Sequence, residues 1–168
     1  MKQVDSYKFL DFANRQLVKV WIKGRPATKT IPWSPPARPL AESTVALIST
    51  AGLALTDDRP FDQEGERRDP FWGDPSYRVI PNDATERNVR CYHLHMNNRF
   101  IEEDLGCAFP LASLVELERA GEIGRAAPSN YSYMGYILDP GVLLEESAPA
   151  MIRNMVAEQV DVVLLAPY

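Results

Sequence analysis

Val160-Asp161-Val162-Val163-Leu164-Leu165-Ala166-Pro167-Tyr168 is the stretch on which the fold turns. Its unbroken apolar, β-branched run predicts a strand buried on both faces. A helical pattern over 142–159 feeds directly into it, which makes the pair the second half of a βαβ crossover and predicts a parallel sheet. In open α/β sheets ligands gather just beyond the carboxyl ends of the strands, and the sequence stops at that position. A buried strand with no polar loop or helix behind it reads as cut short.

The rest of the chain fits this frame. Thr44-Val45-Ala46-Leu47-Ile48-Ser49-Thr50-Ala51-Gly52 is a second buried strand. Its polar exit from Ser49 to Gly52 suits a strand-to-loop turn at which the backbone approaches a ligand. Without a GxGxxG pattern, the dinucleotide fingerprint is missing. Tyr77-Arg78-Val79-Ile80-Pro81 gives a further short strand. Residues 112–120, stopped by Gly121, give an amphipathic helix, and residues 124–128 a strand-like return. The tyrosine-rich segment 129–136 reads as an aromatic loop at a strand exit. Residues 56–76, dense in charge, Gly and Pro, read as a long loop, mobile without ligand because it has little to bury.

At the other end, residues 4–23 have the spacing of an amphipathic helix, followed by Pro26, Pro32, Pro35, Pro36 and Pro39 in an extended arm. The predicted organisation is an N-terminal helix and Pro-rich arm over 1–40 and an α/β domain over 41–168. The sheet is open, mostly parallel and flanked by helices in the doubly wound, Rossmann-like manner.

A chain of 168 residues with 45% hydrophobic composition can bury one sizeable core. Its formal net charge of -5 opposes binding to nucleic acid or an anionic membrane. No segment has the apolar length of a membrane span and the N-terminus lacks a signal-peptide core, so the expected location is cytoplasmic. Cys91 and Cys107 read as structural or incidental thiols, because no CxxC motif lowers a thiol pKa. Both histidines fall in Cys91-Tyr92-His93-Leu94-His95-Met96-Asn97-Asn98. In an extended segment His93 and His95 share a side, and imidazoles there suit acid-base work, metal binding or structural hydrogen bonds. Arg78 suits a substrate carboxylate or a salt bridge to the acidic loop.

Taken in order, residues 45–52, 74–81 (D-P-S-Y-R-V-I-P), His93-x-His95, Phe109-Pro110-Leu111, Ile123-Gly124, 131–136 and 160–167 form a series that resembles the selenoprotein B family of glycine, sarcosine, betaine and D-proline reductases. The resemblance runs from about Trp33 to Tyr168. It implies a reductase subunit that cleaves a carbon-nitrogen bond α to a carboxylate with a cysteine or selenocysteine nucleophile. No separate cofactor is expected in this chain, and nothing in it resembles the pyruvoyl-forming site of the family's partner subunit.

On this reading His95 and His93 are the catalytic candidates, as proton donors or as stabilisers of the thiolate or selenolate. Arg78, Ser49, Thr50, Tyr133 and Tyr136 bind a small carboxylate substrate, and no metal is held. Expected partners are other reductase subunits or further copies of the chain. The family's nucleophile follows the strand that 160–167 resembles, which predicts an in-frame UGA, read as selenocysteine, directly after Tyr168. Two alternatives stand beside this: a non-catalytic α/β module that binds a small acid or a subunit, and a metal-dependent hydrolase built on His93, His95 and a carboxylate.

Overall fold

The computed structural model describes residues 11–23, 34–69, 72–94 and 97–168. The chain divides into two compact units, Met1–Pro35 and Pro36–Tyr168. In the first, helix α1 (Phe12–Lys23) is the described element, with Phe12, Leu17 and Val20 exposed. Most of the Pro-rich arm lies outside the described residues.

The second unit is mixed α/β. In chain order it contains β1 (Thr44–Ser49), β2 (Leu53–Leu55), α2 (Gln63–Arg68), β3 (Tyr77–Pro81), β4 (Val89–Cys91), α3 (Arg99–Glu103), α4 (Leu111–Arg119), β5 (Arg125–Ala126), β6 (Ser129–Tyr133), α5 (Ala148–Ala157) and β7 (Val162–Ala166). Strand β1 is central. On one side it pairs in parallel with β5 and then β6, and on the other with β7; β3 pairs antiparallel with β6 at the far edge. The sheet is thus mostly parallel, as expected, but the Tyr77–Pro81 strand runs against its neighbours. A separate two-stranded ribbon pairs β2 with β4.

Pairing register sets the two faces of the sheet, because directly opposed residues point the same way. Val45, Leu47 and Ser49 align with Ala126, Ser132, Val162, Leu164 and Ala166, and Arg78 aligns with Ser132. This face carries the main core, in which Leu47, Leu53, Ile80, Phe109, Leu111 and Leu114 are buried. The opposite face, with Ile48, Tyr131, Tyr133 and Tyr77, packs against Met151 and Met155 of α5.

The 129–136 segment differs from the aromatic loop its tyrosines suggest, since residues 129–133 form an interior strand. Tyrosine is a good strand former once half its surface is covered. Pro128, which has no N–H, marks the break between β5 and β6. Asn130 fills it, its fully buried side-chain oxygen accepting the Leu47 N–H at 2.8 Å and its amide donating to Ala127 O.

The helix before β7 also departs from a plain α-helix. Pro149 has no N–H to give, and the helix accommodates it with a π-helical turn over Leu143–Ser147, in which the Ala148 N–H reaches the Leu143 carbonyl. Ser147, in that turn, donates to Pro75 O at 2.7 Å.

The opening stretch forms a strand, but it is not buried on both faces. β7 is an edge strand, with Val163 38%, Leu164 44% and Leu165 66% exposed. Composition specifies that a strand is apolar; it does not specify that a neighbour covers its outer side.

Candidate active site

The strands β1, β6 and β7 end together, and short hydrogen bonds join their exits. Thr50 N–H donates to Ala166 O at 3.3 Å, Gly135 N–H to Thr50 O at 2.8 Å, and Gly52 N–H to Tyr133 O at 3.0 Å. Gly52 has φ +63°, and a Cβ there would lie 2.4 Å from the Met134 sulfur, so both its conformation and its surroundings require glycine. Tyr168 N–H donates to the Thr50 hydroxyl at 2.8 Å, and that hydroxyl in turn donates to Tyr168 O at 3.3 Å. The carboxyl end of β7 is thereby held against the carboxyl end of β1.

The loop after β4 closes over the same place. Gly52 O accepts the Tyr92 N–H at 2.9 Å, the Cys91 thiol donates to Ala51 O at 3.1 Å, and the Tyr168 hydroxyl donates to Asn97 O at 3.3 Å. His93 is only 5% exposed, and its carbonyl accepts the Asn98 side-chain amide at 2.9 Å. Burial pushes the Cys91 thiol pKa up, an effect that the His93 N–H opposes and that the neighbouring Glu102 and Cys107 reinforce. The Tyr168 phenol is raised by burial and by the neighbouring Cys107 and Cys91. These groups therefore hold their protons at neutral pH, and Cys91 is a hydrogen-bond donor rather than an activated thiolate. A cavity of about 240 Å³ opens beside it, lined by Val89, Arg90, Cys91, Ile101, Glu102 and Leu105 among others.

The predicted site residues are only partly gathered. Thr50 lies at the centre of the junction. Ser49 is fully buried beneath it, its hydroxyl accepting the Ala51 N–H at 3.2 Å and its carbonyl accepting the Ser132 hydroxyl at 3.1 Å. Arg78 shares the Ser49 face two strands away. Tyr133 lies on the opposite face with the α5 cluster, and Tyr136 is half-buried, its carbonyl abutting Gly73. His95 is outside the described residues. Among the described residues no three His, Cys, Asp or Glu side chains are grouped to hold a metal ion.

Arg78 is 7% exposed and its guanidinium is fully engaged. Nε donates to Arg59 O at 2.6 Å, Nη2 to Pro60 O at 3.0 Å, and Nη1 to Tyr77 O at 2.8 Å and the Ser76 hydroxyl at 2.9 Å, while the group stacks 4.2 Å above the Phe61 ring. Asp74 adds a second fastening by accepting the Asp62 N–H at 2.9 Å and both donors of Ser76. Burial alone would raise the Asp74 pKa, but these hydrogen bonds and the Arg78 charge outweigh it and hold the carboxyl below its ordinary value. The segment expected to be a featureless loop thus contains α2, N-capped by Asp62, and is tied to β3. Of the two roles the sequence offers Arg78, the tie to the acidic loop is the one seen, with Asp58 Oδ2 4.0 Å from Nε and Asp74 close by, although three of its four hydrogen bonds go to main-chain carbonyls.

The structural thiol expected at Cys91 agrees with its hydrogen bond to Ala51 O, whereas the contacts of Asn97, Asn98 and Tyr168 at the junction join segments far apart in sequence.

Fold and junction together define a mostly parallel α/β domain whose strand exits gather the Cys91 thiol and the hydroxyls of Thr50 and Tyr168, with the backbone of buried His93 beside them. Over 140 residues, 83% of this chain, the sequence is 34% identical to the D-proline reductase subunit gamma of Acetoanaerobium sticklandii. The matched part is 54% of that protein, so the chain spans about half the length of the curated relative it matches. The likeness relates the chain to proline reductases. No family model and no solved structure matches it. No helix among the described residues is long and apolar enough to cross a membrane.

Proposed function

We propose that this chain is part of a reductase subunit of the selenoprotein B type, which opens a carbon-nitrogen bond α to a carboxylate in a small amino acid of the D-proline kind. The observation that carries the reading is the 34% identity over 83% of the chain to a D-proline reductase subunit. The junction at the ends of β1, β6 and β7 supports it, because ligands of α/β domains collect there.

In this reading the substrate ring lies over Thr50. His93 and His95 deliver the proton that the leaving amine requires. Ser49 fixes the turn beneath the substrate, and Tyr136, in the segment that follows β6, shapes the approach. Arg78, its guanidinium committed to the 59–62 segment, Tyr77 O and Ser76, orders that segment from β3. The reaction adds two electrons and two protons across the broken bond, and a thiol or selenol pair is oxidised in exchange.

The nucleophile is a cysteine or selenocysteine, and other subunits complete the enzyme. A selenol is ionised at neutral pH, whereas an ordinary cysteine, with a pKa of about 8.5, mostly is not.

The test is activity in the assembled enzyme: the protein, expressed with its companion subunits, should oxidise a dithiol in a D-proline-dependent way. A complex inert towards D-proline, glycine, sarcosine and betaine alike would refute the proposal and leave a non-catalytic binding module.

A further inference from the structure

We propose that helix α1 is a docking arm that lies across helix α5 of a second copy of this chain, each copy giving its arm to the other. The proposal goes beyond the reductase reading and does not depend on it.

The net charge of -5 hides a division. Met1–Pro35 carries seven Lys and Arg against two Asp and Glu, a side-chain charge of +5, whereas Pro36–Tyr168 carries eleven against twenty-one, a charge of -10. Two copies of such a chain attract one another through their unlike units. An anionic bilayer or a nucleic acid would attract the small unit but repel the large one, so the distribution favours a partner that is itself an acidic protein surface.

The basic unit has an apolar face to bury. Leu17, Val20 and Lys23 follow one another at i, i+3 and i+6 along one side of α1. Leu17 is 68% and Val20 69% exposed, and α1 contains no acidic residue. Below about 40 residues a unit seldom closes a core of its own and commonly relies on association instead.

The α/β unit presents a matching surface. Ile152 and Val156, at i and i+4 on α5, are 57% and 70% exposed. Earlier in the same helical run, Glu145 and Glu146 of the π-helical turn are exposed and form no ion pair among the described residues. They line an open groove of about 450 Å³ with Tyr77, Ser147, Ala150 and Arg153, where two carboxylates face one guanidinium.

Laid antiparallel, the two helices come into register. At about 1.5 Å per residue, setting Leu17 against Val156 brings Val20 nearly level with Ile152. Lys23, a further turn along, then extends its flexible four-carbon stem towards Glu145 and Glu146. The same sense sets the carboxyl end of α1 beside the amino end of the partner's helix, which opposes their dipoles favourably. Reciprocal exchange makes this contact twice about a twofold axis and closes the assembly at a dimer.

Sedimentation of the full chain tests the proposal. In about 50 mM NaCl a dimer is expected, with a dissociation constant at least 10-fold higher in about 500 mM NaCl, where the charge pairs are screened. Lys23→Glu, and separately Glu145→Lys with Glu146→Lys, should each give a monomer with unchanged circular dichroism. Mixing the two variants should restore a dimer, because each supplies the charge that the other has lost. Leu17→Glu and Ile152→Glu read the apolar half of the contact independently, and each should raise the dissociation constant at least 10-fold. A wild-type chain that is monomeric at low salt, a dimer indifferent to these substitutions, or a mixture that stays monomeric overturns the proposal. Pelleting of a monomeric chain with phosphatidylcholine vesicles containing phosphatidylglycerol, abolished by Lys23→Glu, would assign α1 to an anionic bilayer and overturn it as well.

Discussion

Replacing Arg78 with alanine should release the 58–68 segment from the sheet. The guanidinium makes four hydrogen bonds, to Arg59 O, Pro60 O, Tyr77 O and the Ser76 hydroxyl, and lies over Phe61. Bonds to a charged donor contribute about 1.5–3 kcal/mol each, but the vacated carbonyls near the surface regain water, so the sum overstates the loss. A net destabilisation of about 3–5 kcal/mol matches what removing one member of a buried charged arrangement costs. For a domain of this size that corresponds to a fall in melting temperature of roughly 6–20 °C. Arg78→Lys keeps the charge without the fork and should lose a smaller amount. Thermal denaturation measures the loss, and limited trypsin digestion reads the segment directly, since Arg59, Arg67 and Arg68 lie within it. A loss under about 1 kcal/mol for the alanine variant, or unchanged cleavage at those arginines, would refute the view that Arg78 holds the loop.

Three other outcomes follow from the same geometry. Gly73→Ala would put a Cβ 1.8 Å from the Tyr136 carbonyl; since backbone has to move, denaturant titration should show a loss above about 2 kcal/mol. Asp74 has a depressed pKa in the folded state, so its contribution is present above its ordinary value of 3.8 and fades as pH falls below it; Asp74→Asn should be less stable at pH 7 and show a shallower acid loss, and equal slopes for the two proteins would contradict this. Cys107 is exposed, whereas Cys91 is partly buried with a raised pKa, so iodoacetamide at pH 8 should label Cys107 first. Mass spectrometry that finds Cys91 labelled as fast would show the junction to be open.

The fold class was legible because two apolar runs, 44–49 and 162–166, are long enough to exclude other readings, and the second follows a helix. The direction of the Tyr77–Pro81 strand was not, since nothing within five residues specifies which way a strand runs beside its neighbour. Segment 129–133 was hidden for a different reason: Ser, Asn and Tyr look like loop residues until Asn130 is seen replacing a backbone bond at Pro128. At the strand exits, Thr50 and Gly52 were legible from their place after a buried run. Cys91 and Tyr168 were not, because their importance comes from contacts between segments far apart in sequence. The burial of Arg78 was equally invisible, since a charged side chain gives no sign that carbonyls from 18 and 19 residues away will surround it.

The π-helical turn at Leu143–Ser147 has a consequence for how this helix can vary among homologues. A bond spanning five residues instead of four holds one residue more than an α-helical turn of the same reach, so the helix carries a spare position ahead of Pro149. Losing one residue from that turn would convert it to ordinary α-helix while Met151 and Met155 stayed in phase with the sheet, and Ser147 would be the contact put at risk. Deleting a residue from the turns after Pro149 has no such reserve: it would swing everything beyond it by about 100°, turning the methionine side away from Tyr131. Length changes in this helix should accordingly be tolerated on one side of the proline and ruinous on the other.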